Sequence, residues 1–173
     1  AYHTSFYIEM PELEENSTYN LSFKYDNHII EKNPGKINNI NIVTEEEMAQ
    51  ITDVDGTKLP STAISIASAL ELDKGDYTDL SATFTTGATK TKHYLYFRTG
   101  YAYWFYLCDF KLVKTGEVEI DSNILSNTSA ADWGAKSWSS VSNGTESAEG
   151  GSKFLLKNIG ETFCCRLLWS EKL

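Results

Sequence analysis

The chain is predicted to be all-β, a sandwich or barrel of many short strands. Three observations carry this. Short runs of alternating or β-branched and aromatic residues recur along the 173 residues. Turn signals such as Asp55-Gly56, Gly100 and Thr115-Gly116 separate them. Helical signals are few, the best candidate for a short helix being ASALEL at 67–72. Such a pattern favours stacked or closed sheets over a helical core.

The elements follow in order. SFYIEM at 5–10 alternates and then meets Pro11. TYNLSFKY at 18–25 puts Tyr19, Leu21, Phe23 and Tyr25 on one face, with Asn20, Ser22, Lys24 and Asp26 on the other. Residues 34–43 hold Pro-Gly, several Asn and isolated Ile, and read as a loop with a short strand. Glu45, Glu46 and Glu47 read as a solvated loop or helical turn, and 48–59 as a hairpin turning at Asp55-Gly56. Strands are expected at 80–85, 91–98, 103–114 and 117–121. A Ser/Asn/Gly-rich stretch with two Trp follows, and strands at 152–158 and 162–169 close the chain.

Composition narrows the function. The formal charge is −9 and the pI about 4.8, which argues against a nucleic-acid backbone or an anionic membrane as partner. No apolar run reaches the roughly 20 residues of a membrane span. Cys108, Cys164 and Cys165 lack zinc spacing and are expected as buried thiols.

The stretch His93–Phe110, HYLYFRTGYAYWFYLCDF, is half aromatic and apolar on both phases. His93, Leu95 and Phe97 share the expected core face, where His93 is a satisfied structural residue. Tyr94, Tyr96 and Arg98 share the other. Cross-strand aromatic pairing is one reading of that second face; a ligand platform is the other. Sugars present apolar C–H faces to aromatic rings and polar rims to Arg, Asn, Asp or Lys, so Tyr94, Tyr96 and Arg98 are candidate binding residues, joined by Lys24 and Asp26 if their strand lies nearby. Trp104 lies in the last strand of the stretch. Trp133 and Trp138 sit in polar sequence, each equally suited to core plug or ligand contact, and Trp169 is expected in the core.

The segments TYNLSFKY, LYFRTG (95–100) and WFYLCDFKLVKTG (104–116) resemble late strands of the carbohydrate-binding modules with the family 4, 9 and 22 type of jelly roll. NILSNTSAADWGAKSWSS (123–140) and GGSKFLLK (150–157) resemble the beginning of the same kind of module. The resemblance implies a single galactose-binding-like jelly-roll module over 1–173, with circularly permuted order. Residues 1–114 would supply the family's later strands and 117–173 its N-terminal ones. A unit cut from tandem repeats, or pairing of 117–173 with another copy, would give the same order.

The resemblance further implies non-catalytic binding of polysaccharide, plant cell-wall glycan among the candidates, by one module of a larger secreted or cell-surface bacterial protein. In relatives the first residue of an Asp pair helps hold a structural calcium. Here the pair is Cys108-Asp109, and Cys is a poor ligand for calcium, which leaves Asp109 or loop carbonyls for that role. Arg98 stands where xylan-binding relatives carry a sugar-binding Glu, which implies a ligand other than neutral xylan, such as an acidic or decorated glycan.

Two other classes stay open. One is a structural or adhesive sandwich repeat of a bacterial surface protein, its exposed aromatics covered by a neighbour. The other is a jelly-roll glycoside hydrolase, suggested by Glu117, Glu119 and Asp121 along one strand face. The second Glu of that enzyme pattern is absent, since positions 123 and 124 are Asn and Ile.

Overall fold

A computed structural model describes residues 3–29, 39–52, 59–67, 77–100, 102–116, 133–135, 140–143, 153–159 and 162–168. One sheet is built from β1 (His3–Glu9), β3 (Asn39–Thr44), β4 (Ile64–Ala67), β6 (His93–Gly100) and β8 (Trp133–Ala135), in the order β4-β3-β6-β1-β8. The other joins β2 (Thr18–Ile29), β5 (Thr78–Thr85), β7 (Ala102–Lys114), β9 (Ser140–Asn143), β10 (Lys153–Ile159) and β11 (Thr162–Leu168), in the order β5-β2-β7-β11-β10-β9. The pairings are antiparallel except β9 with β10, which is parallel. One short helix, α1 (Glu45–Gln50), follows β3. The chain is an all-β sandwich.

Alternation builds the core. On β2, Tyr19, Leu21, Phe23 and Tyr25 are buried, while Asn20, Ser22 and Lys24 are partly exposed. On β6, Leu95 and Phe97 are sealed, facing Phe6 and Ile8 of β1 and Ile40 and Ile42 of β3 in one cluster. Phe6 and Phe97 stack at 4.8 Å, and Phe23 and Phe110 at 4.7 Å. Each buried ring of this kind contributes roughly 1.5–3 kcal/mol from removal of apolar surface from water.

The late strands enter both sheets. β8 pairs with β1, aligning Tyr7 with Gly134 and Ile8 with Trp133. β11 pairs with β7, aligning Cys164 with Cys108 and Leu168 with Trp104. β7 carries a bulge where the pairing jumps from Ser22–Lys111 to Lys24–Cys108. Asp109 lies inside it at φ 55°, a left-handed conformation that Asp tolerates better than most residues.

Three local expectations need correcting or bounding. Met48–Gln50 belongs to α1, not to a hairpin. Thr44 accepts from the Glu47 backbone N–H at 3.2 Å, and the Glu47 carboxylate accepts from the Thr44 N–H at 2.7 Å. This reciprocal capping box starts a helix at the acidic run and buries Glu47. Ala67 ends β4 rather than starting a helix, and 68–72 lie outside the described residues. The Asp55-Gly56 turn, the strand at 117–121 with its three carboxylates, and Trp169 also lie outside them, as do the three cysteine side chains.

Candidate functional site

The face of the five-stranded sheet turned away from the core carries the candidate site. Core-facing Phe6 and Ile8 leave Ser5, Tyr7 and Glu9 on the opposite phase of β1. Leu95 and Phe97 do the same for Tyr94, Tyr96 and Arg98 of β6, and Ile40 and Ile42 for Asn39 and Asn41 of β3. Register sets these residues side by side. Arg98 lies between Ser5 and Asn39, Tyr96 between Tyr7 and Asn41, and Tyr94 between Glu9 and Val43. Three strands distant in sequence thus set these residues side by side, with Ser5, Asn41, Val43 and Tyr96 buried and Tyr7, Glu9, Tyr94 and Arg98 keeping part of their surface in water.

The aromatic part is a cluster of three tyrosines. Tyr7 meets Tyr94 edge-on, with centroids 5.8 Å apart at 88°, and lies nearly parallel to Tyr96 at 6.5 Å. Tyr96 was expected as an exposed stacking surface. It is instead 0% exposed, enclosed with Val43, Met48 and Ile51 in a second small core. Leu59 and Ala63 pack against that core, as do Tyr7 and Tyr94. The physical reason is α1. Once capped, it places Met48 over the sheet, and the chain after it adds Ile51 and Leu59, so an outward strand position becomes an interior one. Tyr7 and Tyr94 remain half-buried and keep part of their surface in water. Burial, then the Glu9 carboxylate, pushes the Tyr94 phenol above its ordinary range.

The polar part is unusual. Ser5 Oγ, Asn41 Nδ2 and Arg98 Nε are each buried with no hydrogen-bond partner among the described residues. Ser5 is 0% and Asn41 6% exposed. Ser5 lies directly across from Arg98, and Asn41 is offset from it by two residues on the other side, diagonal neighbours at about 7–8 Å. Buried polar groups are nearly always paired, and one left unpaired costs about 1–3 kcal/mol.

At the Tyr94 end this face runs into a cleft of about 350 Å³ lined by Glu9, Met10, Pro11, Glu12, Glu45 and Lys90–His93. Backbone bonds clamp this corner: the Met10 N–H donates to His93 O at 2.8 Å, and the Glu45 N–H to Lys92 O at 3.0 Å. Its lysines are paired, Lys92 with Glu9 at 3.3 Å and Lys90 with Glu12. Lys90 lowers the pKa of Glu12, first through its hydrogen bond and then through its charge. His93 is buried on the core phase as expected, yet its Nδ1 has no partner among the described residues, so it is not fully satisfied. Burial lowers its pKa, with a Thr91 backbone hydrogen bond and the Glu47 charge opposing.

The expected binding residues do not gather in one place. Tyr94 and Arg98 lie on the outer face of the five-stranded sheet. Lys24 lies on the outer face of the six-stranded sheet, where it pairs with Asp109 at 3.1 Å. Beside it a polar ladder runs between β2 and β5, with Asn20 on Ser81 at 3.0 Å and Thr18 on Thr85 at 3.0 Å. The hydrophobic core separates Lys24 from Arg98, so one groove cannot hold both. Asp26 and Trp104 occupy the same sheet as Lys24, aligned with Tyr106 and His28 respectively. Trp133 aligns with core-facing Ile8 in β8, and Trp138 lies outside the described residues. Among the described residues no group of three His, Cys, Asp or Glu is placed to hold a metal.

Ser5, Tyr7 and Asn41 were not among the expected site residues. Tyr7 had a signal, since SFYIEM puts a tyrosine on its non-core phase. Ser5 and Asn41 had none, because their meaning depends on pairing across β1, β6 and β3.

No family model matches this chain, and no curated protein matches it. Among solved structures it is similar to PbXyn10C CBM APO, a carbohydrate-binding module by its name, with a TM-score of 0.42 and 13% identity over 78% of this chain and 72% of that one.

Proposed function

We propose that this chain is a non-catalytic glycan-binding module whose site is the outer face of the five-stranded sheet. The observation that carries the reading is the juxtaposition of half-buried Tyr7 and Tyr94 with the unpartnered polar atoms of Ser5, Asn41 and Arg98. An aromatic pad beside unsatisfied hydrogen-bonding groups matches the two-sided chemistry of a pyranose ring: apolar C–H face and hydroxyl rim. The sequence resemblance to carbohydrate-binding modules supports the same reading.

The module comprises the whole chain, its late strands completing a sandwich begun by the early ones in circularly permuted order. The pairing of β8 with β1 and of β11 with β7 supports this. It serves as a targeting part of a larger secreted or surface protein. Affinity electrophoresis against a panel of plant and mucosal polysaccharides tests the proposal. Retardation with Kd between about 1 mM and 1 μM is expected, roughly −4 to −8 kcal/mol. Turnover of the polysaccharide that survives repurification would refute it.

A further inference from the structure

We infer that the glycan bound is acidic, and that Arg98, with Asn41 and Ser5, forms the subsite for a sugar carboxylate. The inference rests on the glycan reading of this face and specifies its ligand class.

The three orphaned atoms differ in what they require. A guanidinium Nε–H and an amide NH₂ are donors only, while a hydroxyl does either. Two of the three groups therefore call for an acceptor. A neutral sugar hydroxyl would satisfy a donor but leave the charge uncompensated. A guanidinium carries a positive charge, so half-burying it without a counter-charge is unfavourable in proportion to lost solvation. Among the described residues Arg98 has no ion pair, although Lys24, Lys90, Lys92 and Lys114 each have one. On the outward phase of the described parts of β1, β3 and β6 the carboxylate is Glu9, four residues along β1 from Ser5 and so about 13 Å away by strand rise. Glu9 is itself held by Lys92. A carboxylate supplies two acceptor oxygens and one negative charge, which answers both deficits.

The overall charge of −9 opposes an anionic ligand at long range. Screening limits that effect, since the Debye length is about 8 Å at physiological ionic strength. The contact at Arg98 is short-range and partly desolvated, where a charge-assisted hydrogen bond is roughly twice as strong as a neutral one. Local pairing therefore outweighs the distant field.

The test is isothermal titration of the full chain with three probe types. These are oligogalacturonate and glucuronate-bearing xylan oligomers, the carboxyl-reduced form of each, and a sulfated oligosaccharide. The expected result is that one carboxylated probe binds at least about tenfold more tightly than its reduced form, the size of a charged hydrogen bond. Added salt should weaken the carboxylated probe more than the reduced one. In Arg98→Gln the ratio of acid to reduced-form affinity should fall toward one, whatever happens to the affinity for the reduced form. If Arg98→Gln does not fold, the wild-type acid-to-reduced ratio and its salt dependence decide alone. Equal binding of acid and reduced forms, both lost in Tyr7→Ala, would overturn the acidic subsite and leave the glycan reading standing. Tightest binding of the sulfated probe would overturn the carboxylate assignment. Binding of no glycan, acidic or neutral, would overturn the glycan reading and this inference with it.

Discussion

Phe97 of the five-stranded sheet meets Phe110 of the six-stranded sheet edge-on, their ring centroids 6.4 Å apart at 84°. This contact ties the two layers together directly behind the candidate site. Phe97 is also stacked on Phe6, so its ring has aromatic neighbours in both layers. Phe97→Ala should therefore cost about 3–5 kcal/mol of stability through the cavity it leaves. Denaturant unfolding measures the loss, and an effect under about 1 kcal/mol would mean the layers do not share this core.

Neighbouring tyrosines should separate binding from stability. Tyr96 is sealed in the second core, so Tyr96→Ala should behave as a core truncation and cost roughly 3 kcal/mol or more. Tyr7 is half-buried at the rim of that core, so Tyr7→Ala should weaken glycan binding by about 1–3 kcal/mol while lowering stability less. Titration beside thermal melts of both variants checks the assignment. The reverse pattern would place the ligand over Tyr96.

His93 gives a pH signature. Its pKa is lowered by burial, so the unfolded chain takes up this proton at a higher pH than the folded one. Folded stability is then unaffected above the unfolded value near 6.5 and falls as pH drops through it toward the lower folded value. Glu12, whose pKa Lys90 lowers, titrates below the ordinary carboxylate range and so outside this window. Melts between pH 7.5 and 5.5 should show Tm falling with acid. The slope should flatten in His93→Gln, and an unchanged slope would remove His93 from the account.

The late strands should be needed for folding. Residues 1–116 alone would leave β1 without β8 and β7 without β11, exposing unpaired edges that invite aggregation. The fragment should be soluble only transiently and unfold non-cooperatively by circular dichroism and NMR. A dispersed spectrum with a sharp melt would show that the early strands fold by themselves.

The sequence exposed in-and-out phase well and assembly poorly. Alternation on β2 and β6 identified the core residues Tyr19, Leu21, Phe23, Leu95 and Phe97, because each strand has one dry face. Alternation does not say which sheet a strand joins, so Lys24 was grouped with Arg98 although the core lies between them. Nor does it say what covers an outer face, which is why Tyr96 read as exposed. The signal for its cover was present. Thr44-x-x-Glu47 before Met48 is a capping-box pattern; the acidic run reads as a loop or helical turn, of which the helical turn holds, and only the hairpin expected from Met48 onward hides the helix's continuation. Ser5 and Asn41 are single polar residues between apolar ones. Only the pairing of β1, β6 and β3 makes them neighbours of Arg98.

The most direct test of the central claim is a backbone amide NMR titration of the full chain with the tightest-binding glycan from the polysaccharide panel. Saturable shifts should concentrate on Ser5, Tyr7, Asn41, Tyr94 and Arg98, while Asn20, Lys24 and Asp109 on the opposite outer face stay still. Saturable shifts at Asn20, Lys24 and Asp109 with a silent Arg98 row would contradict the account.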